Sequence, residues 1–123
     1  MDYTVFYAWQ SDTDESLNKR FIRKAIERAL KTIKKDASIE DAPRIDHDVK
    51  DSPGTPEIAG TIFRKIQECG VFVADLTFVG TYTTGDGLAR SKRTPNSNVL
   101  LEAGFAASAI GWDRVICLMN EAH

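Results

Sequence analysis

Short apolar runs alternate with amphipathic stretches along this chain. Residues 3–9 read Tyr-Thr-Val-Phe-Tyr-Ala-Trp with no turn former, which predicts a buried first strand. A polar loop follows over residues 10–14. Leu17, Phe21, Ile22, Ala25, Ile26, Ala29, Leu30 and Ile33 then recur at steps of one, three and four, so one side of a long helix is apolar. Lys19, Arg20, Arg23, Lys24, Glu27, Arg28 and Lys31 fill the other side, which reads as a solvated helix face. Residues 36–42 form a linker, and residues 44–49 a short, weakly hydrophobic strand. In the turn that follows, Thr55 suits an N-cap and Pro56 the first helical position. Ile58, Ile62, Phe63 and Ile66 give a second helix its apolar stripe, ending near Gly70. Residues 71–76 (Val-Phe-Val-Ala-Asp-Leu) are the third and most clearly central strand.

Residues 77–95 carry no strong periodicity and read as a long loop, with Gly80, Gly85, Gly87 and the cations Arg90, Lys92 and Arg93. Loops of that length tend to be functional or mobile. Asn96, Ser97 and Asn98 are all good N-caps for the next helix, which ends near Gly111. Residues 114–119 form a fourth strand. Strand and helix in alternation predict a parallel sheet covered on both faces. Right-handed crossovers favour a flavodoxin-like, doubly wound α/β order of 2-1-3-4. Such sheets bind ligands beyond the carboxyl ends of their strands, at the switch between strands 1 and 3. Trp9, Gln10, Ser11 and Asp12 fall there after strand 1, and Asp75, Leu76 and Thr77 after strand 3.

Composition narrows the function classes. The 123 residues suit one domain, residues 1–123, and a net charge of −2 gives no global footprint for nucleic acid or membrane. No apolar run approaches the roughly 20 residues of a membrane span. Cys69 and Cys117 lie among apolar residues and read as free buried thiols of a cytoplasmic protein. No His, Asp or Cys spacing suggests a metal site, and no glycine-rich phosphate loop is present.

Glu102 stands out against this background. It is an acid among Val99, Leu100, Leu101, Ala103, Gly104 and Phe105, near the start of a helix over the same sheet edge. The positive end of the helix dipole favours its charged form there. A carboxylate held in a cleft can grip ribose hydroxyls or stabilise a developing sugar cation. Trp9 is a candidate for stacking on a ring, with core packing as the alternative. Ser11 and Asp12 can meet ribose or phosphate, or cap a helix. Asp75 and Thr77 can touch a ligand, or satisfy loop amides. Asn96 and Asn98 serve the helix start first, and one of them can also reach substrate. Arg90, Lys92 and Arg93 read first as a solvated loop, with a pyrophosphate as the alternative.

Four segments resemble the bacterial TIR-like domains, the effector modules of antiphage defence proteins. They are Val5-Phe6-Tyr7-Ala8-Trp9-Gln10-Ser11-Asp12, Ser52-Pro53-Gly54-Thr55-Pro56-Glu57-Ile58, Val71-Phe72-Val73-Ala74-Asp75-Leu76-Thr77 and Pro95-Asn96-Ser97-Asn98-Val99-Leu100-Leu101-Glu102-Ala103-Gly104-Phe105. The resemblance implies cleavage of NAD⁺, taken as substrate rather than cofactor, with Glu102 matching the family's catalytic glutamate. It also implies self-association through the loop after strand 2, where Ser52, Pro53 and Gly54 lie. A sensor domain outside this chain would then trigger assembly, making residues 1–123 the N-terminal module of a longer protein. The family's fifth strand has no counterpart here. Nucleoside 2-deoxyribosyltransferase-like enzymes are a second family with this fold type and a glutamate followed by alanine or leucine and then glycine. The Pro-Gly loop and the Trp-Gln-Ser-Asp strand end fit the TIR-like group better. A non-catalytic assembly module is the third reading.

Overall fold

The computed structural model describes residues 4–37, 44–47, 56–85 and 90–121. Strands β1 (Thr4–Ala8), β2 (Arg44–His47), β3 (Val71–Asp75) and β6 (Val115–Leu118) form one sheet in the order β2-β1-β3-β6, all parallel. This is the flavodoxin-like order expected from the sequence, with β6 in the place of the fourth strand. Helix α1 (Lys19–Ala37) follows β1, α2 (Pro56–Glu68) precedes β3, and α3 (Ser97–Ile110) precedes β6. Pro56 does open α2, where its missing N–H is no loss.

The pleat sorts the core into two layers. Phe6, Ala8, Phe72 and Ala74 face α2 and α3, where they meet Ile62, Ile66, Val99, Ala103 and Ala106. Tyr7 and Val73 face the opposite way and pack with Ile22, with Ile26, Val5, Val71 and Leu118 around them. Phe6 and Phe72, neighbours in register across β1 and β3, stack with centroids 5.6 Å apart and planes 7° apart. Phe63 and Phe105 stack at 4.3 Å and join α2 to α3. The Arg114 guanidinium donates to the carbonyls of Gly70 (2.9 Å) and Cys69 (2.7 Å), which fixes where β6 starts against β3.

Three sequence expectations change. Residues 77–95 are not a bare loop: β4 (Phe78–Thr84) and β5 (Arg90–Pro95) form an antiparallel hairpin, with an irregular step between Phe78 and Gly80. Both faces of this ribbon are wet beyond its base, so its strands carry no inward and outward alternation to read. Of the apolar residues expected on this helix only Ile22, Ile26 and Leu30 turn inward; Phe21, Ala25, Ala29 and Ile33 are exposed, as is Leu17, which lies before α1 starts. The helix carries a wider apolar arc than the sheet beneath it covers. Cys69 is buried and its thiol donates to the Ile66 carbonyl, but Cys117 is exposed because β6 is an edge strand. No helix among the described residues is long and apolar enough to cross a membrane.

Phe72 has no exposed surface and lies in the central strand pair, so Phe72→Ala opens a cavity that the flanking strands cannot close. The expected loss is about 3–5 kcal/mol, a large share of the stability of a domain this size. Urea unfolding followed by circular dichroism measures it, and a loss under 1 kcal/mol would contradict this packing.

Candidate functional site

Polar residues gather where the parallel strands end. Asp75, the last residue of β3, is fully enclosed. Its Oδ2 accepts from Gln10 Nε2 at 3.1 Å and Asn18 Nδ2 at 3.0 Å. Its Oδ1 accepts from the Thr77 hydroxyl at 2.6 Å and the Thr77 amide at 3.1 Å. A carboxylate has about four acceptor positions, and all are taken. Thr77 is equally committed: its hydroxyl also accepts from Asn18 Nδ2 (2.8 Å) and the Asn120 amide (2.9 Å). Gln10 uses both ends of its amide. Its Nε2 also donates to the Thr13 hydroxyl, and its Oε1 accepts from the amides of Asp12 and Thr13. One buried network therefore ties the loop after β1, the lead into α1, the end of β3 and the residues after β6.

A second tie reaches α3. Asn96 is its N-cap, and its Oδ1 accepts from the amides of Asn98 and Val99. The other end of the same side chain, Nδ2, donates to Asp12 Oδ2 at 2.7 Å. Asn96 thus uses its acceptor on the helix and its donor on the loop after β1. The end of β1, the end of β3 and the start of α3 are brought together by these bonds, the convergence expected from the strand order.

No protein-family model matches the chain, and neither does any curated protein. Among solved structures, a 2-desoxiribosyltransferase from Leishmania mexicana aligns at a TM-score of 0.48 and 17% identity. The alignment takes in 94% of this chain and 62% of that one, so the chain spans less than two thirds of the enzyme's length. The likeness is distant and carries no function across. The resemblance to TIR-like domains has no counterpart in these comparisons.

Glu102 belongs to the sheet-facing side of α3. The buried residues of that helix are Val99, Glu102, Ala103 and Ala106, spaced by three, one and three. Only 5% of Glu102 is exposed, and its Oε1 is sealed from the surface. It is the sixth residue of the helix, in the second turn. The dipole effect fades within the first turn, so the expected help from the helix end is weak. What distinguishes Glu102 is burial of an acid where its neighbours are valine and alanine.

The other candidates divide. Asp75 and Thr77, expected at a ligand, turn every polar atom of their side chains inward. Trp9 is half-buried against the Tyr7, Ile22 and Val73 layer, on the face of the sheet opposite Glu102, with the Lys19 ammonium 3.6 Å from its ring centroid. Ser11, Asp12 and Asn98 are exposed at the rim. Ser52, Pro53 and Gly54 lie outside the described residues. Among the described residues no cluster of three metal-ligating side chains occurs. Asn18 and Asn120 were not singled out by sequence, and Gln10 was placed at the end of strand 1 without a role. Asn18 had a signal, because it is in phase with Ile22, Ile26 and Leu30 and so takes a core position on the line of the helix.

The network also sets the chemistry of Tyr7. Its hydroxyl donates to the Lys19 carbonyl at 3.1 Å. Burial holds the phenol well above its ordinary value near 10, and the negative charge of Asp75 adds to that. A neutral phenol is therefore stabilised by folding. Its contribution is complete below pH 10, where the unfolded phenol is also protonated, and is lost as pH climbs above that value.

Two outcomes follow. Asp75→Ala leaves the buried donors of Gln10, Asn18 and Thr77 without their acceptor, and stability should fall by about 3 kcal/mol or more in urea unfolding. The wild type should lose stability as pH rises above about 10, and Tyr7→Phe should flatten that alkaline limb while costing about 1 kcal/mol at neutral pH. Parallel alkaline limbs in the two proteins would rule the phenol out as the cause.

Proposed function

We propose that the chain breaks the N-glycosidic bond of a nucleotide, with Glu102 as the carboxylate that meets the sugar. The observation that carries this reading is an acid buried on the sheet-facing side of α3, beside the strand ends where doubly wound sheets take their ligands. Packing alone calls for an apolar residue at that position. The TIR-like motif of residues 95–105 supports NAD⁺ as the substrate.

In that reaction the bond between ribose C1′ and the nicotinamide nitrogen breaks, and the electron pair leaves with nicotinamide as a neutral ring. Positive charge builds on C1′ and the ring oxygen. A carboxylate in a water-poor site opposes that charge at full strength, because little solvent has to reorganise around it. Water then bonds to C1′ and releases its proton to the solvent, giving ADP-ribose. The neutral leaving group requires no strong general acid, so one carboxylate suffices. The rim residues Ser11, Asp12 and Asn98 would hold the ribose hydroxyls. Transfer of a deoxyribosyl group is the second reading, in keeping with the name of the Leishmania enzyme. There the same carboxylate would bond to C1′ as the first base leaves, and a second base would displace it.

The test uses concentrated protein with NAD⁺, and separately with a 2′-deoxynucleoside and a free base. Nicotinamide release is expected, reduced about 10²–10³-fold in Glu102→Gln, the loss typical of one stabilising group. Base exchange on the deoxynucleoside, with NAD⁺ untouched, would replace this reading with the transferase. No turnover by a folded, assembled protein would leave a non-catalytic module.

A further inference from the structure

The β4–β5 hairpin sits at the edge of this site and has no structural account of its own. It leaves the sheet three residues after Asp75 and returns at Pro95, directly before the Asn96 cap. Beyond its base, both faces are solvent-exposed. An isolated two-stranded ribbon in water is marginal, so packing does not explain its presence.

Its side chains carry a consistent pattern. Residues 78–84 and 90–95 contain Arg90, Lys92 and Arg93 and no acid. Asp86 lies between the two strands in the sequence, so residues 78–95 hold a charge of +2 in a chain of −2, which leaves −4 for the rest. All three cations are exposed, and among the described residues they have neither ion pair nor hydrogen bond. Cross-strand pairing sets Tyr82 opposite Lys92 and Thr84 opposite Arg90, so these four share one face. Arg90 and Lys92 are about 7 Å apart along the strand, close enough for flexible side chains to reach one group. Tyr82, 48% exposed, lies beside them. Cations next to an exposed aromatic ring are the chemistry that holds a phosphate and stacks on a base.

We infer that this hairpin is the phosphate-binding arm of the site, and that it selects a phosphorylated nucleotide over a free nucleoside. The inference rests on the proposed reading and names its substrate class: a nucleoside diphosphate, free or esterified, with Arg90 and Lys92 on the phosphates and Tyr82 against the base. A short arm with two cations on one face, at the mouth of one site, matches a diphosphate. A nucleic acid strand calls for a longer basic track than this hairpin supplies.

Calorimetric titration of the chain with ADP and with adenosine tests this. ADP should bind about tenfold or more tightly than adenosine, and the preference should shrink as salt is raised. In the variant combining Arg90→Gln and Lys92→Gln the two ligands should bind within about twofold of each other. The replaced side chains are exposed, and an unchanged circular dichroism spectrum and urea midpoint confirm the fold. Equal binding of ADP and adenosine to the wild type, no binding of ADP, or an ADP preference that survives in the variant would each overturn the inference. So would a single-stranded oligonucleotide that binds more tightly than ADP. Nicotinamide release without a phosphate preference sinks the hairpin's role alone; a phosphate preference without any glycosidic cleavage sinks the reaction alone.

Discussion

A fully enclosed carboxylate is tolerable only if every lone pair finds a donor, and Asp75 sets that condition at the open end of the sheet. Its donors come from the loop after β1, from the residue that leads into α1 and from the turn after β3. Thr77 passes the constraint on to Asn120 beyond β6. Parallel strands end without the hairpins that would tie them together, so something else has to hold their carboxyl ends. Here it is a saturated side-chain network. Half-satisfied, the same network would be worse than an apolar plug.

That constraint explains how the site is placed. The Gln10 amide holds the loop after β1 by accepting from Asp12 and Thr13. Asp12 then offers its carboxylate to Asn96, which caps α3. The start of α3 is therefore positioned through a chain of bonds that begins at Asp75. Glu102 rides on that helix, turned toward the sheet, with Val99, Ala103 and Ala106 as its companions on that face. The reactive candidate and the structural acid are different residues on different faces of the sheet, and the second orders the ground on which the first stands.

Much of this was legible in the order of residues, and what was not has particular causes. The core strands declared themselves because β1 and β3 are buried on both sides, so apolar residues run without interruption. Pro56 and the Asn96 region marked helix starts because caps and first-turn prolines act locally. The β4–β5 ribbon was hidden because neither face is buried. The apolar arc of α1 overstated its contact, since Phe21 and Ile33 look like Ile22 in sequence but face water. Asp75 and Thr77 looked like ligand residues because their position in the strand order is right, yet their side chains are spent on protein partners.

Sequence alone determined the alternation of elements, the parallel order of the sheet and the oddity of an acid within the apolar face of α3. These are matters of periodicity and local backbone chemistry, which a chain carries in its neighbouring residues. Only the tertiary structure decided which polar groups are consumed and which remain at the rim. Gln10 and Asp75 are 65 positions apart, and Asp12 and Asn96 are 84. No local pattern encodes such a pairing, because a hydrogen bond requires two groups within about 3 Å and that proximity exists only once the sheet has brought the strand ends together.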